Sequence, residues 1–513
     1  MLKQKQKMKN LLSIIVLLGG MMIMVSCGDD AVTPDNDATI SGVSSSASID
    51  NLGSYGPITI AIGATDGLLG LVVTKDGAAH DAVDYTTETS ADYTFEYTAV
   101  VADENENIVF VFTVTDKDGD TESATLVLSV GSVPVAIPNE VKSGLLTANE
   151  TWTADRIYEL ASKVVVPDGL TLTIEPGTII KGQEGDGSLA TALVVARGGK
   201  LMAIGTSEKP IIFTSVLDNI KVGETAGSNL DETNSGNWGG IVILGKAPIS
   251  AAAAEIQIEG IPADDTFGLY GGTISDDSSG DIQYISIRHG GTSVTANSEI
   301  NGLTLGGVGS GTNISYVEVI GNADDGLEFF GGTVNVSNAL VWAQGDDAFD
   351  IDQAYSGTVD NFVFVGGADS DHGLEIDGPE GAASGKFTMT NGSLKGFNPG
   401  GEYADFRDGA QGTVSNTYFF NFSDNSDFEL DNDGVAANYI NGDLVFSGLE
   451  FDVSHLTSGN RTIDAIMVDK SNAGDAFTQV TNNAAVVTTA TVGADISKFA
   501  WTYAQAKGAL TGF

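Results

Sequence analysis

An apolar–acid–apolar triplet returns five times between Asn313 and Asp433, with its copies in the same place in each repeat. Asp325-Gly326-Leu327-Glu328-Phe329 is followed by Asp347-Ala348-Phe349-Asp350-Ile351 and His372-Gly373-Leu374-Glu375-Ile376. Two looser copies follow, Glu402-Tyr403-Ala404-Asp405-Phe406 and Ser426-Asp427-Phe428-Glu429-Leu430. A turn leading to Thr333, Thr358, Lys386 or Thr413 closes each of the first four, and a new strand begins there. Repeats of about 25 residues carrying short strands are coils of a β-solenoid, each strand stacked about 4.8 Å above its predecessor. Side chains alternate across a strand, so Leu327 and Phe329 point inward and Glu328 outward. The stack therefore carries an outward column of Glu328, Asp350, Glu375, Asp405 and Glu429.

Unit charges at that spacing repel by about 3 kcal/mol at an effective dielectric of 20, and by less than about 1 kcal/mol in water. Five in a row must protonate, splay into solvent or share a cation. Further acids flank them, among them Asp324, Asp325, Asp346, Asp347, Asp352 and Asp377. Calcium takes about six to eight oxygens from flexible carboxylates and carbonyls, which makes the column a candidate calcium site. A solvated acidic face accounts for the same residues.

Lys3, Lys5, Lys7 and Lys9 precede an uncharged apolar run from Leu11 to Val25. That run is short for a membrane span and fits a secretory signal over residues 1–26. It ends Met24-Val25-Ser26-Cys27, which resembles the bacterial lipoprotein cleavage box, with Met24 where leucine is usual. The resemblance implies cleavage before Cys27, a lipid on Cys27 and an outer-membrane anchor. Gly28-Asp29-Asp30 resembles the acidic stretch that sends such proteins to the cell surface in Bacteroidota-type bacteria. Cys27 is the single cysteine, so the exported chain has no internal disulfide. Loss of the signal removes four lysines and no acid, taking the formal net charge from −46 to −50. Such a charge excludes nucleic acid and bare anionic lipid as partners, and it draws divalent cations. With 42% apolar and 18% charged residues the chain is not a disordered acidic one.

Residues 27–37 read as a polar tether. From 38 to 130, apolar and polar residues alternate with turn signals about every ten residues, the mark of a small β-sandwich. Its closing hairpin, from Phe112-Thr113-Val114 through Asp116-Lys117-Asp118-Gly119-Asp120 to Leu126-Val127-Leu128, resembles that of bacterial immunoglobulin-like surface modules. The acids at 116, 118 and 120 are what a tight turn demands, and their alternation also suits calcium. Residues 131–140 form a linker. Short strands with Pro-Asp-Gly and Glu-Pro-Gly corners run from 141 to 434, on the order of a dozen coils. No helical periodicity separates them, which disfavours a TIM barrel. Residues 435–513 lose the acid repeat and read as final coils and a cap, with Phe499-Ala500-Trp501-Thr502-Tyr503-Ala504 covering the open last coil.

Three long motifs carry a family resemblance: Asn237-Trp238-Gly239-Gly240-Ile241-Val242-Ile243-Leu244-Gly245, the stretch Glu299 to Thr312, and Asp324 to Thr333. They resemble signatures of exported right-handed β-helix lipoproteins of marine and gut bacteria. The expected fold is thus all-β: an immunoglobulin-like β-sandwich followed by a right-handed parallel β-helix, a pectin-lyase-like solenoid. A second resemblance concerns chemistry. Asn322-Ala323-Asp324, Gly345-Asp346-Asp347 and Asp371-His372-Gly373 are similar to motifs on successive coils of polygalacturonase-type glycoside hydrolases. It implies Asp324, Asp346 and Asp347 as the acids that protonate the leaving group and activate water, with His372 assisting. The Arg-Ile-Lys motif of those enzymes is missing, Arg407 being the nearest cation, and the spacing is what any coil period gives. A lyase would add Lys386, Arg407 or Arg288 as base. Trp238, Tyr284, Tyr316, Trp342, Tyr355, Tyr403, Tyr418 and Phe419 include candidates for a sugar-stacking strip, with Trp342 a candidate core stack. The leading expectation is a non-catalytic surface protein that binds glycan or another extracellular polymer, with structural calcium and an outer-membrane importer as a candidate partner. The alternative is a polysaccharide hydrolase or lyase.

Overall fold

The computed structural model describes residues 37–50, 52–131, 137–262, 265–295, 298–397, 400–456, 461–480 and 483–513. The signal segment, Cys27 and all but the end of the tether lie outside them. The chain divides into two compact units, 1–135 and 136–513. None of the helices in the described residues is long and apolar enough to cross a membrane.

The first unit is an immunoglobulin-like sandwich with eight strands among the described residues: β1 (Thr39–Ser41), β2 (Ser46–Ile49), β3 (Ser54–Gly63), β4 (Leu68–Lys75), β5 (Ala78–Asp84), β6 (Ser90–Thr98), β7 (Asn107–Asp116) and β8 (Thr121–Val130). One sheet has the order β1-β3-β6 and the other β2-β8-β7-β4-β5. Strict alternation along β7 sends Ile108, Phe110, Phe112 and Val114 into the core, where Phe110 and Phe112 meet Phe95 edge-on at 4.9 Å.

The second unit is a right-handed parallel β-helix. Its strands form one continuous ladder from Glu140–Leu145 to Asn483–Val487. The register predicted from the triplets is the register observed: Glu328 lies beside Asp350, Asp350 beside Glu375, Glu375 beside Asp405, and Asp405 beside Glu429. Their neighbours Leu327, Phe349, Leu374, Ala404 and Phe428 fill the coil interior, as do Phe329, Ile351, Ile376, Phe406 and Leu430. Followed toward the N-terminus, the outward column changes character, running through Thr304, Val242, Val194 and Val165. Those valines are covered by Ile258, Ile261 and Tyr270 from the long connection 245–279. Apolar residues at outward positions mark where something lies on the solenoid.

The C-terminal segment corrects one expectation. Phe499, Tyr503 and Ala504 do not cover the last coil. They pack on the flank of the helix against Ile320, Leu340, Trp342, Val363 and Val365. Trp342 is therefore outside the coil interior, with its ring 6.2 Å from that of Tyr503. The chain walks back along the solenoid to reach this place. The Thr491 amide binds Glu450, the Ala494 amide binds Ser393 Oγ at 2.9 Å, and the Asp495 amide binds Asn361 Oδ1 at 2.6 Å. The Tyr503 and Ala504 amides then both donate to the buried Glu318 carboxylate, at 3.1 and 2.8 Å. Val435, Ala436 and Tyr439 of the helix Asp433–Asn441, with Phe477, complete the interior at its C-terminal end.

Candidate carboxylate cleft

Outward residues of a solenoid strand meet solvent unless a connection arches over them. Here two connections do, 245–279 and 289–302, and a cleft of about 700 Å³ is left beneath. It is lined by Glu259 and Glu299 from those connections and by Asp324, Asp325, Glu328, Asp346, Asp350 and Glu375 from the coils. The solvated face allowed for above is not what forms: Glu328, Asp350, Asp405 and Glu429 are all buried. No aromatic and no basic residue lines the cleft among the described residues.

The column splits into two electrostatic halves. At the C-terminal half, side-chain cations answer the acids. Arg407 ion-pairs closely with Glu375, bonds Asp377 at 2.8 Å and lies 3.9 Å from Asp405, while Lys470 pairs with Glu429. At the N-terminal half Asp325, Glu328 and Asp350, all buried, bring oxygens within 4.8 Å of one another. Neither Glu328 nor Asp350 has a lysine or arginine partner among the described residues, and Asp350 Oδ1 is buried with no hydrogen-bond donor. A buried carboxylate oxygen without a donor costs on the order of 1–3 kcal/mol or more. Asp405 Oδ1 shares that condition, and what sets the trio apart is that no lysine or arginine pairs with it among the described residues. Of the five column residues expected to hold calcium, Glu328 and Asp350, joined by Asp325, are the clustered acids left without such a cation.

Asp347 and His372 act as a brace between coils. The Asp325 amide donates to Asn301 Oδ1 (3.2 Å), the Asp347 amide to Asp325 Oδ1 (2.9 Å), and the His372 amide to Asp347 Oδ1 (2.7 Å). His372 Nδ1 lies 2.8 Å from the same Asp347 oxygen. Each coil thus uses a side chain to hold the first amide of the next. Asn301-Gly302-Leu303-Thr304-Leu305 precedes the triplets in register, legible in the sequence once Asn is accepted in place of Asp and Thr304 in place of the acid. Glu259 and Glu299 sit in insertions and carry no such signal. Asp324 and Asp346 stand one coil apart at the mouth and are not part of the brace.

Charge crowding sets the titration of these groups. Burial first, and then the charges of Glu259, Glu299 and Asp346, push Asp324 up to about 7. Burial and then Asp347 and Asp371 push Asp346 up to about 6. Asp325, Glu328 and Asp350 are driven well above the carboxylate range by burial and by their acidic neighbours. Glu375 rises to about 9 through burial and the adjoining Asp347, in spite of Arg407. Asp347 goes the other way: burial would raise it, but the hydrogen bond and charge of His372 hold it below the usual range. Burial alone would lower His372, and Asp347 outweighs that to lift it to about 10. At neutral pH the brace is an Asp⁻–HisH⁺ pair.

The candidate aromatic strip does not line the cleft. Trp238, Tyr355, Tyr403 and Phe419 are core. Tyr284 and Tyr316 stack at 4.2 Å with Trp501 edge-on at 5.5 Å, on a different strand column from the cleft. Tyr418 stacks on Phe420 at 4.9 Å. Of the candidate bases, Arg288 is buried at 2% exposure, its Nε bonding Ser286 Oγ and its guanidinium facing the Tyr503 ring, and Lys386 pairs with Asp443.

Fold and cleft together define a parallel β-helix protein with a carboxylate-lined groove on the flank of its coils. The chain belongs to the pectate-lyase-like beta helix domain family, whose model matches residues 144–505. No curated protein matches it. Among solved structures it is similar to the catalytic unit of a thermostable GH87 alpha-1,3-glucanase from Streptomyces thermodiastaticus strain HF3-3, at 12% identity and a TM-score of 0.29, over 81% of this chain and 84% of that one. Nothing about the chemistry of the present chain follows from a likeness at that level.

Proposed function

We propose that this protein is a lipid-anchored outer-membrane surface protein that binds an acidic extracellular polysaccharide without cleaving it, through calcium held by Asp325, Glu328 and Asp350. The carrying observation is the buried, donor-less Asp350 Oδ1 set among carboxylates in an open cleft with no basic lining residue. An all-oxygen anionic cage of irregular shape suits calcium, and a bound calcium would present positive charge where an acidic polymer otherwise meets only repulsion. With polygalacturonate as probe in affinity electrophoresis, retention should appear in millimolar calcium, vanish in chelator, and weaken about tenfold or more in Asp350→Asn. Equal retention with and without calcium, or release of reducing or unsaturated ends, would count against this reading. The anchor rests on Cys27, and Cys27→Ser should leave the membrane fraction.

A second reading is favoured by the arrangement of the mouth, where Asp324 and Asp346 stand one coil apart, burial and acidic neighbours pushing them up to about 7 and about 6 while His372 holds Asp347 below the usual range. Carboxyls with separated titration are what glycoside hydrolysis uses. It takes second place because the brace ties up Asp347 and His372, two of the four residues it would need.

A further inference from the structure

A second carboxylate cluster lies in the sandwich, outside the β-helix. Its anchor is Asp116. Along β7 the inward positions run Ile108, Phe110, Phe112 and Val114, and Asp116 takes the next one with 0% exposure. An aspartate at the end of a core stripe has lost its water, so each oxygen needs a partner. Oδ1 has one, accepting from the Asp120 amide at 2.8 Å. Oδ2 has none. Asp37, just before β1, repeats the pattern. Its Oδ2 accepts from the Thr65 amide and hydroxyl and from the Asp66 amide, while its Oδ1 is buried and has no donor.

These two carboxylates and that of Asp66 each bring an oxygen within 4.8 Å of the others. No lysine or arginine ion-pairs with any of the three among the described residues. Lys117 lies across Gly67 without reaching 4 Å of them. Asp37 and Asp116 thus each keep one buried oxygen free of donors while hydrogen bonds fix the other.

We propose that Asp37, Asp66 and Asp116 hold a calcium ion in the sandwich. The donors are hard oxygens with no nitrogen or sulfur among them, which excludes a zinc preference. Their irregular arrangement suits calcium over magnesium, which demands near-octahedral geometry and keeps its water. The ion ties the approach to β1 to the 64–68 loop, which links the two sheets, and to the end of β7 in the second sheet. It thereby pins the chain where residues upstream of Asp37 join the folded unit.

The test uses the full chain and two calcium readouts. In isothermal titration, Asp66→Asn and Asp116→Asn should each lose one class of calcium site, weakened about tenfold or more, while Asp350→Asn keeps it. In hydrogen exchange, calcium should slow the amides of 64–68 and 116–120 in the native chain and not in Asp66→Asn, an exposed substitution that leaves the core untouched. Exchange in those loops that ignores calcium in the native chain would overturn the proposal, as would Asp66→Asn retaining every calcium site. Failure of the cleft would show separately, in an Asp350→Asn variant whose calcium titration matches the native one.

Discussion

Asp324 and Asp346 decide between the two readings of the cleft, because they are the acids at its mouth that the coil-to-coil brace leaves free. An amide in place of either keeps the shape and removes both proton donation and proton acceptance. If the protein binds without cleaving, Asp324→Asn and Asp346→Asn keep calcium-dependent retention of polygalacturonate within about threefold, since neither is one of the three proposed calcium ligands. Bond cleavage in the native protein, falling a hundredfold or more in either variant with circular dichroism unchanged, would make the protein a hydrolase. Much of this site was readable from the chain. The column of Glu328, Asp350, Glu375, Asp405 and Glu429 follows from period-2 alternation inside the coil repeat. Its burial does not, because the arching connections carry no repeat that would place them over the column. The division into neutralised and bare halves was partly legible. Arg407 stands two residues after Asp405, on the same face of the chain, while Lys470 announces nothing until the last coil is stacked.

At the scale of elements, the segment from Thr491 to Phe513 acts as a strap along the flank of the solenoid. The sequence shows its aromatic residues but not their destination: a capping segment and a strap have the same composition, and only the outward Leu340 and Val363 hint that a flank is covered. Glu318 is its main fastening. It accepts the Tyr503 and Ala504 amides and the Ser286 hydroxyl, and Ser286 in turn accepts from Arg288 Nε at 2.8 Å. Arg288 is fully buried, with burial pulling its pKa down and the Glu318 charge supporting it. Glu318→Ala therefore strands a buried cation as well as two amides. A loss of about 3–5 kcal/mol is expected, the range for breaking one side of a buried charged network. Denaturant unfolding measures that loss, and limited proteolysis should open the chain near 495 before the coils unfold. Native-like protease resistance at 495 in this variant would mean that the apolar contacts alone hold the strap.

For the molecule as a whole, the formal charge of −46 makes stability a matter of pH and cations. The sign follows from the direction of the shifts. Asp346 rises to about 6, Asp324 and Glu429 to about 7, Asp352 and Glu402 to about 8, and Glu375 to about 9, with burial the first cause in each. A carboxyl raised in the folded state stabilises it fully below the unfolded pKa, near 4, and that contribution is lost as pH climbs through the folded value. His372, raised to about 10, adds a loss of the same sign at the alkaline end. Asp347 is the exception, since its lowered pKa supports the fold above pH 4 and matters only in acid. In chelator, the melting temperature of the β-helix should therefore fall steadily from pH 5 to pH 9. Calcium competes with protons for the same oxygens, so its stabilisation should grow with pH and flatten the decline. At about a hundredfold excess over its dissociation constant, the ion adds about 2.7 kcal/mol at the alkaline end and little at pH 5. Differential scanning calorimetry across that range, with and without calcium, measures both slopes. A melting temperature in chelator that holds level or climbs between pH 5 and pH 9 would show that the buried acids are already paired by some other means.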